Sequence, residues 1–342
     1  MRSLHLLVPA LFWPDPAALH AYDGVDLPAT ARLLGRGSVV GEWRDGPTYW
    51  LARQFGVGPA NQVPLAAIAR FGSGAARDDR VWMRADPVHL HPQGSELFLT
   101  RGADLAIDPG EAAAMIAALD AFFAADGLQF VADDAHAWYI ALERIPAMDT
   151  VPLELAHGHS IDPLLPRGDD ALVWLKRLNE AQMLLHGLPV NEAREHRGLA
   201  AINSLWLWGA GTLPATASRW VDVIRTDDPL LRGLGRLSGA RVAATTDGFA
   251  ALQAAEGSTL VCIEGPTAPA ASGDRSAWQM ALERCDELWL RPALDALRAG
   301  DLGRIELTGF GARYGRTFRI TRSDLWKLWR RPAPLASRRP LP

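Results

Sequence analysis

Two polar pairs are spaced for chemistry. In LPVNEAREHRG, Asn191 and Arg194 stand three apart, so on a helix they share a face. An amide beside a guanidinium there could grip one anion or carboxylate. The same spacing also suits a solvated helix start with Asn191 as N-cap. In RVWMRADP, Arg84 and Asp86 alternate onto one face of a strand, either reaching a ligand or forming an internal ion pair. His89 and His91 share a face for the same reason, and HGHSID adds His157, His159 and Asp162. Imidazoles and carboxylates can hold zinc, but an isolated His-x-His supplies too few ligands. INSLWLWGAG packs Trp206, Trp208, Gly209 and Gly211 into one short run. It reads either as a phosphate-cradling turn or as a buried strand ending where the chain must bend. No GxGxxG follows the first strand, and GxxxxGK with Ser or Thr, GxSxG and HExxH are absent. GLGRLSG lacks the lysine of a phosphate loop and reads as the packing face of a helix.

The elements that must position these residues fall into three stretches. LHLLVPALF is nearly all apolar, the pattern of a strand buried on both faces of a parallel sheet. A short helix from Pro28, stopped by Gly35 and Gly37, follows it. After Gly72, RVWMRADPVHL and SELFLT alternate like strands with one wet face. In DPGEAAAMIAALDAFFAADG, Asp108 caps, Pro109 suits the first turn, Glu111 complements the dipole and Gly127 stops the helix. LQFVADDAHAWYIAL adds two strands, making this middle region antiparallel and α+β. From about Trp220 strand and helix alternate again, through GFAALQAAEG and a long helix around 274–299 to GRIELTGF. That repetition predicts right-handed crossovers and a parallel sheet. The expected architecture is α/β: a core from 1–75 and 213–342, with an α+β domain, 76–212, inserted.

A 342-residue chain, 49% hydrophobic and 22% charged, can bury a sizeable core. Its net charge of −4 argues against nucleic acid as a partner, because phosphates demand a basic surface. Cys262 and Cys285 alone make no disulfide framework and fit a reducing compartment. No apolar stretch approaches about 18 residues, so no transmembrane segment is expected, and a cytoplasmic location is. Thirteen tryptophans need sites with a buried ring and a partner for the N–H. The tail WKLWRRPAPLASRRPLP carries five basic residues and two tryptophans. It could touch an acidic protein partner or a lipid surface; a frayed proline-rich end is the bland alternative.

Several stretches together resemble a known family. LPVNEAREHRGLAAINSLWLWGAG is similar to the signature of archaeal-type, cofactor-independent phosphoglycerate mutases. VWMRADPVHL, IDPGEAAAMIAAL, LPATARLLGRG and the segment from STLVCIEG to LWLRPAL resemble further parts of that family. More narrowly, the whole resembles the bacterial RpfE-type regulatory proteins. The mutases belong to the alkaline phosphatase superfamily. The resemblance therefore implies an alkaline-phosphatase-like parallel-sheet core, a Ser or Thr nucleophile, and two divalent metals held by Asp and His.

The departures from that pattern concern the metals. The family's Asp-Gly after the first strand is replaced by Pro9 and Ala10. Its E-x-P-D-x-x-x-H-x-G-D reads EGPTAPAASGD, with Thr267 at the Asp and Ala271 at the His position. The next strand ends in Gly309 and Phe310 instead of Asp-His, and no histidine follows His196. The resemblance thus implies a non-catalytic, mutase-like pseudoenzyme without metal or other cofactor, used in regulation or binding. Its ligand would be a small phosphorylated or carboxylated metabolite. Arg84, Asp86, Asn191 and Arg194 match polar positions toward the family's cleft, bordered by Trp206, Trp208, Gly209 and Gly211. The alternatives are an active mutase or phosphatase with two divalent ions such as manganese, and a protein-interaction scaffold. Asp15, His89, His91, His157 and His159 are the candidate ligands for those ions.

Overall fold

Leu4, Leu6 and Val8 send one side of the first strand into a helical layer, while His5 and Leu7 face the opposite way. A strand apolar on both faces belongs in the middle of a sheet. The computed structural model describes residues 2–59, 63–101, 104–252 and 257–340. The chain forms two compact units, Met1–Gly56 with Thr216–Pro342, and Val57–Ala215. The helix Leu65–Ser73, which falls in the range 1–75 assigned above to the core, lies instead in the second unit.

The first unit opens with β1 (Ser3–Val8), α1 (Pro28–Arg36), β2 (Ser38–Trp43) and α2 (Gly46–Gln54). The second unit runs through α3 (Leu65–Ser73), β3 (Val81–Gln93), β4 (Glu96–Arg101) and α4 (Pro109–Phe123). It continues with β5 (Gln129–Ala132), β6 (Trp138–Leu142), α5 (Leu153–Ala156), α6 (Ala171–His186), α7 (Pro189–His196) and β7 (Ser204–Thr212). The first unit resumes with β8 (Val223–Arg225), α8 (Pro229–Ser238), β9 (Arg241–Ala243) and β10 (Ser258–Cys262). It closes with α9 (Thr267–Ser272), α10 (Arg275–Cys285), α11 (Arg291–Ala299), β11 (Arg304–Phe310) and β12 (Gly315–Thr321).

The first unit's sheet has the order β2-β12-β11-β1-β10-β8-β9. β1 lies parallel between β10 and β11, and only β12 and β2 run antiparallel. One face carries α1, α10 and α11, through Leu33, Leu34, Trp278, Leu282, Leu294 and Leu297. The long helix expected around 274–299 contains a π turn at Asp286–Leu290. There the buried Asp286 carboxylate accepts the Ala29 and Thr30 backbone N–H groups at 3.1 and 2.6 Å and the Thr30 hydroxyl at 2.6 Å. It caps α1 from 256 residues away. GFAALQAAEG supplies only a 3₁₀ turn at Phe249–Ala251, and 253–256 lie outside the described residues.

The second unit is an antiparallel sheet, with β3 pairing β4, β6 and β7. Val81, Met83 and Ala85 point into a core with α4 and α6, while Trp82 faces Ala66 and Ala67 of α3. Asp108 and Glu111 form the expected capping box of α4. Gly209 and Ala210 together oppose Met83, a bulge with Gly209 at φ +67°. A Cβ on Gly209 would lie 2.9 Å from the Leu65 Cβ, and one on Gly211 would lie 2.6 Å from that of Pro64. INSLWLWGAG is thus a strand whose glycines let the first turn of α3 approach.

Candidate functional site

The alternation that buries Met83 and Ala85 turns Arg84 and Asp86 onto the face of the second unit's sheet that bears Trp82. Arg84 pairs with Asp86 and donates from Nη1 to the Tyr139 hydroxyl at 2.8 Å. Its guanidinium lies 4.8 Å from the Tyr139 ring centre and 5.5 Å from that of Trp208. Trp208 Nε1 donates to Asp86 at 2.7 Å, and the Trp138 backbone N–H also reaches that carboxylate. Arg70 lies 3.8 Å over Trp82 and 3.5 Å from Asp133. Burial raises both Asp86 and Asp133 above the usual carboxylate range, although each faces an arginine. Burial likewise pushes Tyr139 up to about 12. Asp86 is 1% exposed, whereas 14% of the Arg84 side chain reaches solvent and its buried Nε–H makes no hydrogen bond. Two of the five guanidinium N–H groups are thus engaged, the Nε–H is buried, and the solvent edge of the group carries the rest. Trp206 lies two residues before Trp208 on β7 and donates from Nε1 to the Val151 carbonyl at 2.8 Å.

Asn191 and Arg194 do share a face of α7, but that face points inward. Asn191 Nδ2 donates to the Leu185 and Ile202 carbonyls at 2.8 Å, and Oδ1 accepts the Ile202 N–H at 2.8 Å. Arg194 is wholly buried; it donates to the carbonyls of Ala200, at 2.9 Å, and Leu105, and pairs with Glu111. Arg197 is the second partner of Glu111. Asn191 and Arg194 are struts joining α7 to α4 and to the chain that leads into β7, with each side-chain nitrogen already bonded. Gly209 and Gly211 lie within a strand and form no cradle.

His89 and His91 stack 5.8 Å apart, and the His89 ring nitrogen Nδ1 lies 2.7 Å from the Ala201 carbonyl oxygen. Asp15 accepts the Ala17 N–H at 2.8 Å. Among the described residues, no group of three or more His, Cys, Asp or Glu side chains is placed to hold a metal ion.

The carboxyl ends of the parallel strands, where α/β sheets place their ligands, do not fit two metal ions. A Cβ on Gly309 would meet Leu11 Cδ2 at 2.2 Å, and Phe310 is fully buried 5.9 Å from Trp50. The Ala10 carbonyl accepts the Trp278 indole N–H at 2.9 Å, which closes the turn after β1. Carboxylates remain at Asp227, Asp228 and Glu264, but Asp228 caps α8 through the Leu231 N–H at 2.7 Å. Protein packed around it, with Asp228 and Asp227 nearby, pushes Glu264 up to about 7.

A polar chain that sequence reasoning missed crosses the opposite face of this sheet. The Trp43 indole donates to the Thr317 hydroxyl at 2.9 Å, Thr317 lies 2.7 Å from Thr308, and Thr308 lies 2.7 Å from His5 Nε2. His5 Nδ1 is 3.1 Å from Glu306. Burial lowers the His5 pKa and so favours the neutral ring, in which Nδ1–H would donate to Glu306 and Nε2 accept from Thr308. Trp50 and Trp220 enclose the imidazole at 5.6 and 5.0 Å. The available signal was one histidine inside LHLLV.

No family model matches the chain. It is 34% identical over 171 residues to the 2,3-bisphosphoglycerate-independent phosphoglycerate mutase of Methanothrix thermoacetophila, covering 44% of this chain and 43% of that protein. A probable mutase of the same type from Geobacter sulfurreducens is 27% identical over 168 residues, 47% of this chain and 42% of that protein. The matches span less than half the length of these curated relatives. Among solved structures, the PH0037 protein from Pyrococcus horikoshii aligns over 98% of this chain and 91% of its own, with a TM-score of 0.58 and 16% identity. The chain thus has cofactor-independent phosphoglycerate mutases as relatives. Its fold is of the expected α/β class, a largely parallel sheet in the first unit with an antiparallel α+β unit inserted in the chain, and it matches the fold of PH0037.

Proposed function

We propose that this mutase-like chain is a non-catalytic relative, of the RpfE-type regulatory kind, that binds a small anionic metabolite in the cytoplasm. The observation that carries this reading is the packing of Leu11 beside Gly309, with Phe310 buried next to it. The strand ends that would have to hold ions are filled with hydrocarbon instead. Two-metal phosphoryl chemistry needs ligands that keep its ions roughly 3.5–4 Å apart. The acids left at these strand ends include one committed to capping a helix. Arg84, with an edge in solvent and terminal N–H groups beyond those given to Tyr139 and Asp86, is the group left to meet an anion.

The test has two arms. Purified protein should show no mutase turnover between 3- and 2-phosphoglycerate with manganese, and a chelator should leave its melting temperature unchanged. A thermal-shift series of phosphorylated and carboxylated metabolites should include one that raises the melting temperature in wild type but not in Arg84→Gln. Turnover with stoichiometric manganese would establish the alternative, an active mutase or phosphatase. A series without any stabiliser would favour a protein-interaction scaffold.

A further inference from the structure

The chain after β12 is no frayed end. Leu325 and Leu335 are buried in the first unit's main core. The Arg36 guanidinium donates to the Leu325 carbonyl at 2.7 Å, and the Ala333 N–H donates to the Ala31 carbonyl at 2.9 Å. Arg316 holds the Arg338 carbonyl at 3.0 Å. Residue 35 has to be glycine for this path, since a Cβ there would lie 2.2 Å from the Arg331 carbonyl oxygen.

Between these anchors, three large apolar side chains stand in water within four positions: Trp326 at 74% exposure, Leu328 at 70% and Trp329 at 78%. A backbone tied on both sides cannot fold over to bury them. Arg322, Lys327, Arg330 and Arg331 surround them, with only Asp324 opposing, and Asp324 pairs with Lys327. This cationic segment belongs to a chain of net charge −4. We propose that the segment Arg322–Arg331 docks this protein reversibly onto an anionic lipid surface. The indoles and Leu328 would enter the interfacial layer while the arginines meet the headgroups.

Tryptophan favours that layer because its ring is apolar and its N–H polar. Each nearby cation adds attraction to anionic lipid. A short apolar patch with a few cations gives only reversible binding, because stable anchoring takes a stronger hydrophobic signal. Charge decides against a neutral apolar partner, which would leave Arg322, Arg330 and Arg331 without a counter-charge.

Sedimentation with vesicles of phosphatidylcholine, alone or with about a third phosphatidylglycerol, tests this. Wild type should bind the anionic vesicles at low salt and release at high salt, ignoring the neutral ones. The double substitution Trp326→Ala with Trp329→Ala should weaken binding by roughly tenfold or more. Arg331→Gln should weaken it about fivefold. Both variants should keep the wild-type melting temperature, since the altered side chains are exposed. Absence of binding, or equal binding by wild type and the tryptophan variant, would overturn the proposal. So would binding that neutral vesicles match, or self-association or capture of an acidic protein through these residues in place of vesicle binding.

Discussion

Arg194→Gln leaves Glu111, 8% exposed, with one guanidinium where it had two, and orphans the Ala200 and Leu105 carbonyls. Breaking a buried pair of this kind costs about 3–5 kcal/mol. Urea unfolding should show that loss, whereas any ligand stabilisation that survives the destabilisation should remain. Glu306 carries a pH-dependent prediction. Burial opposes its ionisation, but His5, Arg319 and Arg304 win and hold its pKa down to about 2. A depressed carboxyl contributes stability fully above its unfolded value of about 4.5 and loses it as pH falls through about 2. Glu306→Gln should therefore cost about 2–3 kcal/mol at pH 7. Its deficit against wild type should shrink steadily in urea titrations below about pH 4.5. The Arg84–Asp86 pair could be read from the sequence because strand alternation alone puts two such residues together. The inward turn of Asn191 and Arg194 could not. Spacing says which residues share a helix face, while the partners that make a face interior, here Glu111 and the Leu105 carbonyl, lie some eighty residues away.

β7 owes its bend to one bulge. Gly209→Ala would put a Cβ in the left-handed region and 2.9 Å from that of Leu65. The expected cost is about 1–3 kcal/mol, visible as a lower urea midpoint. α4 was readable to its ends because its start signals are local: Asp108, Pro109 and Glu111 act within one turn. The π turn at Asp286–Leu290 was not readable. The nearest visible cause is tertiary, a carboxylate turned from its own helix to cap another. GFAALQAAEG has a helical composition, but only one 3₁₀ turn forms among its described residues.

For the molecule as a whole, the alternation of strand and helix sufficed to give a parallel core with an antiparallel insertion, and 98% of the chain follows PH0037 at 16% identity. Such patterns survive because many apolar residues of suitable size can fill one layer. Metal ligands lack that tolerance, and on the proposed reading their loss is what the missing Asp and His record. What the sequence could not show is what fills the place: Leu11 against Gly309 and Phe310 against Trp50. On the reading proposed above, hydrocarbon at these positions leaves no pair of ions bound, and chelator and manganese should both leave the melting temperature unmoved.

The position of β1 has a consequence for biosynthesis. Both of its sheet neighbours, and the carboxylate that caps α1, come from residues after 257. At translation rates of about 5–20 residues per second, LHLLV emerges and then waits on the order of ten to fifty seconds for its partners. Throughout that interval an all-but-uncharged ribbon hangs from the ribosome, open to chaperones and to the same ribbon on the next nascent chain.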